Sequence, residues 1–350
     1  MKIIFNCLFF LTFSTFSFAQ EGSIQKQLQS LSNEKDPIVL KQKLESYVNS
    51  KQENGIIVAV NYYNRTGMRT KADSLKLVAI KKFPKGDFSY SNAIEKLNAT
   101  SDYNEQLKFA RTVSTRFSDR DLSILYGKVA NEAAKNKDCR TIKDAIDKIK
   151  DQSYRYYVIP SIAETLLTAG ERNTPCIQEL LQQLLKEYKS HLSDKMIKEQ
   201  SPNFLLPDLK GNQVSLASLK GKTVIIDFWA TWCKPCLESF PGMQRAVERH
   251  KNDEKVVFVF LNTAERGSDD PKPRIEKLLT DHGYTFTVLM DRRNAEDKKY
   301  EVSNGFGVTA LPSKYIIDKE GFIRFKIAGS SGGPAFINEE IKMIVELLNN

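Results

Sequence analysis

The chain has 350 residues, enough for two domains that each bury a hydrophobic core. Hydrophobic residues make up 41% of the chain and charged residues 27%, which excludes intrinsic disorder as the main state. The mean hydropathy is −0.40 and only the N-terminus carries a long apolar run, which excludes a polytopic membrane protein. Because the chain contains only 3 histidines, no metal centre is predicted.

The N-terminus has the pattern of a secretory signal. Met1 and Lys2 precede an apolar run from Ile3 to Phe18, which ends in the small-x-small pattern Ser17-Phe18-Ala19. We therefore predict that residues 1–19 are a signal peptide, cleaved after Ala19, and that the mature protein is exported, most readily to the periplasm. An uncleaved N-terminal membrane anchor is the alternative.

Residues 20–199 are predicted to form an α-helical domain. Apolar residues recur with helical spacing along several segments, and Asn54-Gly55, Pro84-Lys85-Gly86 and Gly170 separate these segments. The clearest stripe consists of Ile177, Leu180, Leu181, Leu184, Leu185 and Tyr188. The pattern favours antiparallel helical hairpins. They can stack into a short solenoid of the tetratricopeptide kind or form an irregular bundle.

Residues 200–350 are predicted to form an α/β domain. Val224 to Trp229 is a continuous apolar run interrupted only by Asp227, typical of a strand buried on both faces, and Val256 to Leu261 is a second such run. A helical segment lies between them. A hairpin with strands from Tyr315 and from Phe322 and a final amphipathic helix over residues 335–349 follow. This order predicts a sheet with helices on both faces.

The positive charge is concentrated in the predicted helical half. The whole chain has a net charge of +9, of which residues 20–199 contribute +7 and residues 200–350 contribute +1. A solvated surface explains this excess, and a partner on the basic helical domain, an acidic protein or a lipid headgroup surface, is the alternative. Nucleic acid is not an expected partner of an exported protein.

A pair of cysteines follows the first buried strand directly. Residues 232–236 read Trp-Cys-Lys-Pro-Cys, and a helical pattern begins within them. Cys233 is therefore expected at a helix N-terminus, where free backbone N–H groups and the helix dipole favour a thiolate. Two intervening residues bring Cys233 and Cys236 close enough to bridge. The competing explanations are a stable structural disulfide and half of a zinc site, which would need two further ligands.

This part of the chain resembles the thioredoxin-like superfamily. The segment from Asp227 to Cys236, Asp-Phe-Trp-Ala-Thr-Trp-Cys-Lys-Pro-Cys, is similar to the active-site signature of thioredoxins. The whole of residues 200–350 resembles the extracytoplasmic branch represented by TlpA, ResA and the cytochrome c-maturation thioredoxins. Supporting segments are Ser201-Pro202-Asn203-Phe204 and Val308-Thr309-Ala310-Leu311-Pro312. The resemblance implies a thioredoxin fold and thiol-disulfide exchange, with no cofactor.

The resemblance also implies the roles of individual residues. Cys233 would be the exposed nucleophile that attacks a substrate disulfide, and Cys236 would resolve the mixed disulfide. Pro312 would be a cis proline packed against the pair, and the backbone of Leu311 would pair with the substrate. Trp232 would shape the substrate-binding surface, and so would Trp229 unless it is ordinary core packing.

One position departs from the resembled branch. Its members usually carry Glu three residues after the second cysteine, where this chain has Ser239. Glu238 lies one residue earlier, about 100° around the helix, and is expected to be a solvated charge. Asp227 matches the buried acid of true thioredoxins, so we expect it to supply the carboxylate that handles the proton. The alternative is that Asp227 only pairs with a nearby lysine.

Two further cysteines remain after this assignment. Cys139 and Cys176 each precede a predicted helix, Thr141 to Lys150 and Ile177 to Lys189. A structural disulfide between them is expected in an exported protein, and two separate buried thiols are the alternative.

These observations predict an exported thiol-disulfide oxidoreductase that reduces or isomerises protein disulfides. A membrane-embedded thiol donor would supply its electrons. One alternative is a thiol peroxidase, although residues 226–233 lack the Pro-x-x-x-Thr-x-x-Cys context that this reaction needs. The other is a helical partner-binding module with an accessory thioredoxin domain.

Overall fold

The chain folds into two compact units. The computed structural model describes residues 18–170, 174–267, 270–294, 296, 299–330 and 332–349. One unit runs through Glu132 and includes Ala145–Asp151, and the other comprises Ala133–Asp144 and Gln152–Asn350. Most of the predicted signal peptide, residues 1–17, lies outside the described residues. Within the described part, no helix combines the length and the apolar character that crossing a membrane requires.

The first unit is helical. Its helices are α1 Phe18–Asn33, α2 Pro37–Val48, α3 Glu53–Arg65, α4 Arg69–Lys82, α5 Asp87–Ala99, α6 Tyr103–Arg116 and α7 Ser123–Lys135, the last of which continues into the second unit. Asp36 and Asp102 begin α2 and α6 as N-caps whose side chains accept hydrogen bonds from the first free backbone N–H groups. The predicted helical character of this region is confirmed.

Helices of the first unit pack against helices one or two places away in chain order. One buried cluster joins α1, α3 and α4 through Leu28, Ile57 and Leu75, and a second joins α5 and α6 through Leu97 and Val113. Packing between helices close in the chain is typical of stacked hairpins. The specific tetratricopeptide form of that stack stays a prediction.

The second unit contains helices from the predicted helical region as well as the sheet. Helix α8 spans Cys139–Asp147, and its first six residues belong to this unit, together with α9 Gln152–Ala169 and α10 Pro175–Asp194. Helix α9 reaches the last helix of the chain, because Glu164 accepts a hydrogen bond of 2.6 Å from the backbone N–H of Phe336. The boundary at residues 199 and 200 marks the change from helical to α/β sequence and stays a prediction as a domain boundary.

The second unit contains a sheet of six strands: β1 Glu199–Gln200, β4 Thr223–Trp229, β5 Val256–Asn262, β6 Val288–Met290, β7 Ser313–Ile317 and β8 Phe322–Ala328. Strands β2 Leu205–Pro207 and β3 Gln213–Ser215 form a separate hairpin. The strand order in the sheet is β1-β8-β7-β4-β5-β6. The helices are α11 Lys234–Arg249, α12 Lys272–His282, α13 Glu301–Gly305 and α14 Pro334–Asn349. Strands β4, β5 and β6 are parallel, whereas β7 is antiparallel to β4. The predicted thioredoxin-type α/β fold is confirmed.

Strand β4 is buried along its whole length and separates two layers. Val224, Ile226 and Phe228 face a core that also contains Phe306. Successive side chains of a strand point to opposite faces, so Asp227 and Trp229 face the other layer. Trp229 contacts Phe240 of α11 there, with ring centroids 5.0 Å apart. Asp227 therefore lies on the face of the sheet that α11 covers.

A disulfide joins the N-terminal ends of two helices in the second unit. Cys139 begins α8 and Cys176 is the second residue of α10, and their sulfurs are bonded. The bridge closes a loop of 37 residues, which restricts the unfolded chain.

We predict that the double variant Cys139→Ser/Cys176→Ser loses about 2–4 kcal/mol of unfolding free energy, the range for loops of this size. The chain has 2 tryptophans, Trp229 and Trp232, so urea unfolding followed by tryptophan fluorescence reports on the second unit alone. Non-reducing peptide mapping checks the premise. Two peptides with free thiols in the untreated protein would rule out the bridge.

Candidate active site

The Cys233–Cys236 pair lies where β4 gives way to α11. Cys233 is the N-cap of α11, and its sulfur is bonded to that of Cys236 in the first helical turn. The backbone N–H of Cys236 also lies 3.3 Å from the Cys233 sulfur. In the reduced protein, this N–H and the helix dipole would stabilise a thiolate at Cys233.

Exposure of the two cysteines differs only slightly. Cys233 is 3% exposed and Cys236 is 0% exposed. Cys233 is the more exposed of the two, as expected. The prediction that Cys233 is an exposed residue is nevertheless wrong for this oxidised state. The disulfide holds the Cys233 sulfur against the first turn of α11, where the backbone N–H of Cys236 contacts it.

Pro312 lies at the same end of the strands as the Cys233–Cys236 pair. The Leu311–Pro312 peptide bond is cis, as the resemblance implies. Phe228 pairs with Ser313 in the antiparallel register of β4 and β7, so Pro312 lies beside the end of β4 from which the cysteine loop departs. Pro312 is buried and Leu311 is half-buried against the core.

Trp232 is the large apolar side chain that borders the pair on the surface. It is 41% exposed, and its indole N–H donates to the backbone oxygen of Ala264 at 2.8 Å. The guanidinium of Arg266 lies over the indole ring, 4.0 Å from its centroid. Arg266 and Trp232 together form an exposed cationic and aromatic surface beside Cys233. Trp229, by contrast, is 0% exposed and is core packing.

The carboxylate of Glu265 fixes the loop that leads to Cys233. It accepts hydrogen bonds from the backbone N–H of Thr231 at 2.6 Å, from the Thr231 hydroxyl at 2.7 Å and from the Asn262 amide at 2.7 Å. Its side chain is 7% exposed, so water competes little for these bonds. The loop after β5 therefore holds the loop after β4.

Asp227 is the buried acid that the sequence singles out. It is 1% exposed, and one carboxylate oxygen lies 3.6 Å from the ammonium nitrogen of Lys314, which is itself 2% exposed. Asp227 and Lys314 are register partners on β4 and β7. Burial raises the pKa of the Asp227 carboxyl above its ordinary value, and the Lys314 ammonium opposes that rise.

Ser239 and Glu238, at the position where the sequence departs from the resembled branch, differ in exposure. Ser239 is 1% exposed and donates a hydrogen bond of 2.7 Å to the backbone oxygen of Cys236. The Glu238 side chain is 63% exposed and lies 3.5 Å from Lys234, whose side chain is 86% exposed. The helix thus directs Glu238 to solvent, as its position predicts. Asp227 is the acid on the buried side of the cysteine pair.

Three residues of this site are absent from the sequence-based prediction. Lys314, Glu265 and Arg266 reach the site only through strand register or through the fold of the loop after β5. One signal was available for Lys314, because an acid inside a fully apolar strand requires a nearby cation or a proton.

Comparison with known proteins places the similarity in the second unit. The AhpC/TSA family model matches residues 197–326. Thiol-disulfide oxidoreductase ResA of Geobacillus kaustophilus (strain HTA426) is 35% identical over 130 residues, which are 37% of this chain and 68% of that protein. ResA of Geobacillus thermodenitrificans (strain NG80-2) is 33% identical over 146 residues, 42% of this chain and 74% of that protein.

A solved structure of a thioredoxin-family thiol:disulfide interchange protein from Chlorobium tepidum TLS is 24% identical to this chain. It covers 43% of this chain and 97% of its own, with a TM-score of 0.36.

We predict that Glu265→Gln lowers the unfolding free energy by about 1–3 kcal/mol. The amide group keeps one acceptor oxygen but cannot accept the bonds made by the other, and the lost bonds are to a charged group. Urea unfolding of the oxidised protein, followed by tryptophan fluorescence, measures the change. Glu276→Gln on α12 is the matched control, because Glu276 is half exposed and lies 3.9 Å from Lys272. Equal midpoints for both variants would contradict the role of Glu265.

Proposed function

Because the chain belongs to the ResA-type family of thiol-disulfide oxidoreductases, we propose that it is an exported enzyme that reduces or isomerises protein disulfides with Cys233 and Cys236. The observation that carries the proposal is the bonded cysteine pair in the first turn of α11. A buried carboxylate lies on the strand beneath that helix, and an aromatic surface lies beside the pair. These are the parts that thiol-disulfide exchange requires.

The reaction begins from the reduced pair. The Cys233 thiolate attacks one sulfur of a client disulfide, a mixed disulfide forms, and the other client sulfur leaves as a thiolate. The Cys236 thiolate then attacks the Cys233 sulfur, so that the client leaves with both sulfurs reduced. Two electrons pass from the cysteine pair to the client. The bonded pair in the structure corresponds to the product state, and a thiol donor must reduce it before the next cycle.

Asp227 accepts the proton of Cys236 in this proposal. Cys236 is fully buried, which favours its neutral thiol, yet it attacks as a thiolate. Asp227 lies on the face of β4 that α11 covers, and burial raises its pKa, which makes the carboxylate a stronger proton acceptor. Lys314 opposes this rise in the pKa of Asp227 and so favours the ionised carboxylate.

The client docks at the exposed side of the pair. The backbone of Leu311 pairs with the client chain, Pro312 borders the cysteines, and Trp232 supplies apolar contact. Export through the predicted signal places the enzyme in the periplasm, where a membrane-embedded thiol protein is the electron donor. The basic helical region, with its charge of +7, is the surface offered to a further acidic partner.

The alternatives lack comparable support. A thiol peroxidase needs Pro and Thr at the positions that Ile226 and Ala230 occupy in this chain. A binding module with an accessory thioredoxin domain would not need a bonded cysteine pair at a helix N-terminus. The Cys233→Ser variant separates the latter role, because it removes exchange and leaves partner capture intact.

We predict that Cys236→Ser accumulates mixed disulfides with client proteins and that Cys233→Ser does not. Cys233 performs the first attack, and Cys236 performs the release. The measurement is non-reducing electrophoresis of each variant after incubation with a disulfide-containing client, with thiol labelling of the reduced wild type at mildly acidic pH. Cys233 should be labelled first. Mixed disulfides that form only on Cys236 would reverse the assignment.

We predict that Asp227→Asn slows resolution of the mixed disulfide by about 10- to 100-fold, toward the low end of acid–base effects. The first attack by Cys233 should change much less. In the wild type, the resolution rate should rise as the pH passes through the raised pKa of Asp227, and the Asn variant should lose that dependence. Stopped-flow measurement of the two steps distinguishes them.

Glu238→Gln is the control for the Asp227 variant, because Glu238 is exposed on the same helix as Cys236. It should leave both steps unchanged. A normal resolution rate in Asp227→Asn together with a slow one in Glu238→Gln would show that the helix-borne acid handles the proton.

A further inference from the structure

Lys314 lies near a second buried carboxylate as well as Asp227. Glu340 of α14 is 3% exposed, and burial raises the pKa of its carboxyl while the Lys314 ammonium lowers it. The side-chain ammonium of Lys314 has no hydrogen-bond partner within the described part of the chain. Its charge therefore acts on Asp227 from 3.6 Å and on Glu340 from a longer distance.

Tyr188 of α10 contacts Glu340. Its hydroxyl donates a hydrogen bond of 2.8 Å to a carboxylate oxygen of Glu340. The ring is 7% exposed and packs edge-on against Phe336 of α14, with centroids 5.0 Å apart. Two buried contacts, Tyr188 with Glu340 and Lys314 with Asp227, thus lie close enough for the charge of Lys314 to act on both carboxyl groups. We call these four residues the buried polar cluster.

The charges in this buried polar cluster cannot all be neutralised at once. Two ionised carboxylates face one ammonium group, and an uncompensated charge is costly in a buried environment. Asp227 and Glu340 therefore compete for the charge of Lys314, and ionisation of one makes ionisation of the other harder. Such groups titrate as a coupled set.

We propose that Glu340 and Tyr188 are positioning residues that act through Lys314 to set the pH at which Asp227 accepts the proton of Cys236. This inference rests on the proposed function for its catalytic meaning. It assigns α10, a helix from the N-terminal part of the chain, a place in the chemistry of the cysteine pair. The hydroxyl of Tyr188 favours the ionised form of Glu340, and a negative charge on Glu340 favours the protonated form of Asp227 because both carboxylates draw on Lys314.

The titratable groups on the elements near Asp227 come from four elements. They are Cys236 of α11, Lys314 of β7, Glu340 of α14, and Tyr188 and His191 of α10, whose rings lie 6.2 Å apart. Burial lowers the pKa of His191, which favours its neutral form.

The test follows Asp227 directly and needs no enzymatic turnover. Carbon-13 NMR of reduced protein labelled at the aspartate side-chain carboxyl gives its titration, and Asp227→Asn assigns the signal. Glu340→Gln removes one negative charge near Lys314, so the Asp227 midpoint should fall by about one pH unit. Tyr188→Phe makes Glu340 hold its proton to a higher pH, so the midpoint should fall in the same direction by a smaller amount.

Glu346→Gln is the matched control. Glu346 lies on α14 and pairs with Lys189 of α10 at 2.5 Å, with a side chain that is 42% exposed. This variant removes a contact between α10 and α14 that lies outside the buried polar cluster. The titration midpoint of Asp227 should therefore not move. An equal shift in Glu346→Gln would attribute the effect to helix packing and overturn the proposal.

The remaining outcomes are also decisive. If the titration midpoint of Asp227 is unchanged in Glu340→Gln, the proposal is overturned. This holds even if the variant has a lower melting temperature, because that would show only a structural role for Glu340. A shifted midpoint that the pH dependence of mixed-disulfide resolution does not follow supports the coupling and instead refutes Asp227 as the proton acceptor.

Discussion

The carboxylate of Asp227 inside a fully buried strand is the constraint around which the second unit is organised. A charge at this depth needs a counter-charge or a proton, since the interior gives it no water. The antiparallel pairing of β4 and β7 supplies Lys314 directly opposite. The pair is imperfect, because its atoms are 3.6 Å apart and lie beyond hydrogen-bonding distance. Burial therefore still raises the pKa of Asp227, which is the property on which the proposed proton transfer from Cys236 relies.

The reactive pair depends on the ends of three strands that meet at one edge of the sheet. Strand β4 leads to Cys233, β5 leads to Glu265, and β7 begins directly after Pro312. Glu265 accepts hydrogen bonds from the backbone N–H and the hydroxyl of Thr231 in the loop before Cys233 and from Asn262 at the end of β5, so the loop after β5 holds the loop that leads to the cysteine. Arg266 and Trp232 then form the exposed surface beside the pair.

The sequence predicted the parts whose signals are local. The Trp-Cys-Lys-Pro-Cys segment, the apolar run of β4 and the proline at 312 are contiguous patterns, and the structure has a helix, a buried strand and a cis bond at those positions. Lys314 was outside the predicted strand, which started at Tyr315, whereas β7 starts at Ser313. Lysine is rarely fully buried, so no propensity marks it as the partner of an acid 87 residues earlier.

The polar contact of Tyr188 is a second feature that the sequence could not predict. Its place in an apolar helical stripe predicted ordinary core packing, and the ring does pack against Phe336. Its hydroxyl, however, contacts Glu340, 152 residues later in the chain. Periodicity identifies which face of a helix is buried but not which polar atom meets that face, because the latter depends on how distant elements dock.

The reduction potentials of the two disulfides, measured in one sample equilibrated with redox buffers, test the central claim most directly. Our account assigns exchange to Cys233–Cys236 and a structural role to Cys139–Cys176. It predicts that Cys233–Cys236 becomes reduced at a potential above about −300 mV, while Cys139–Cys176 remains bonded there. A Cys233–Cys236 pair that stays oxidised after Cys139–Cys176 has been reduced would contradict the account.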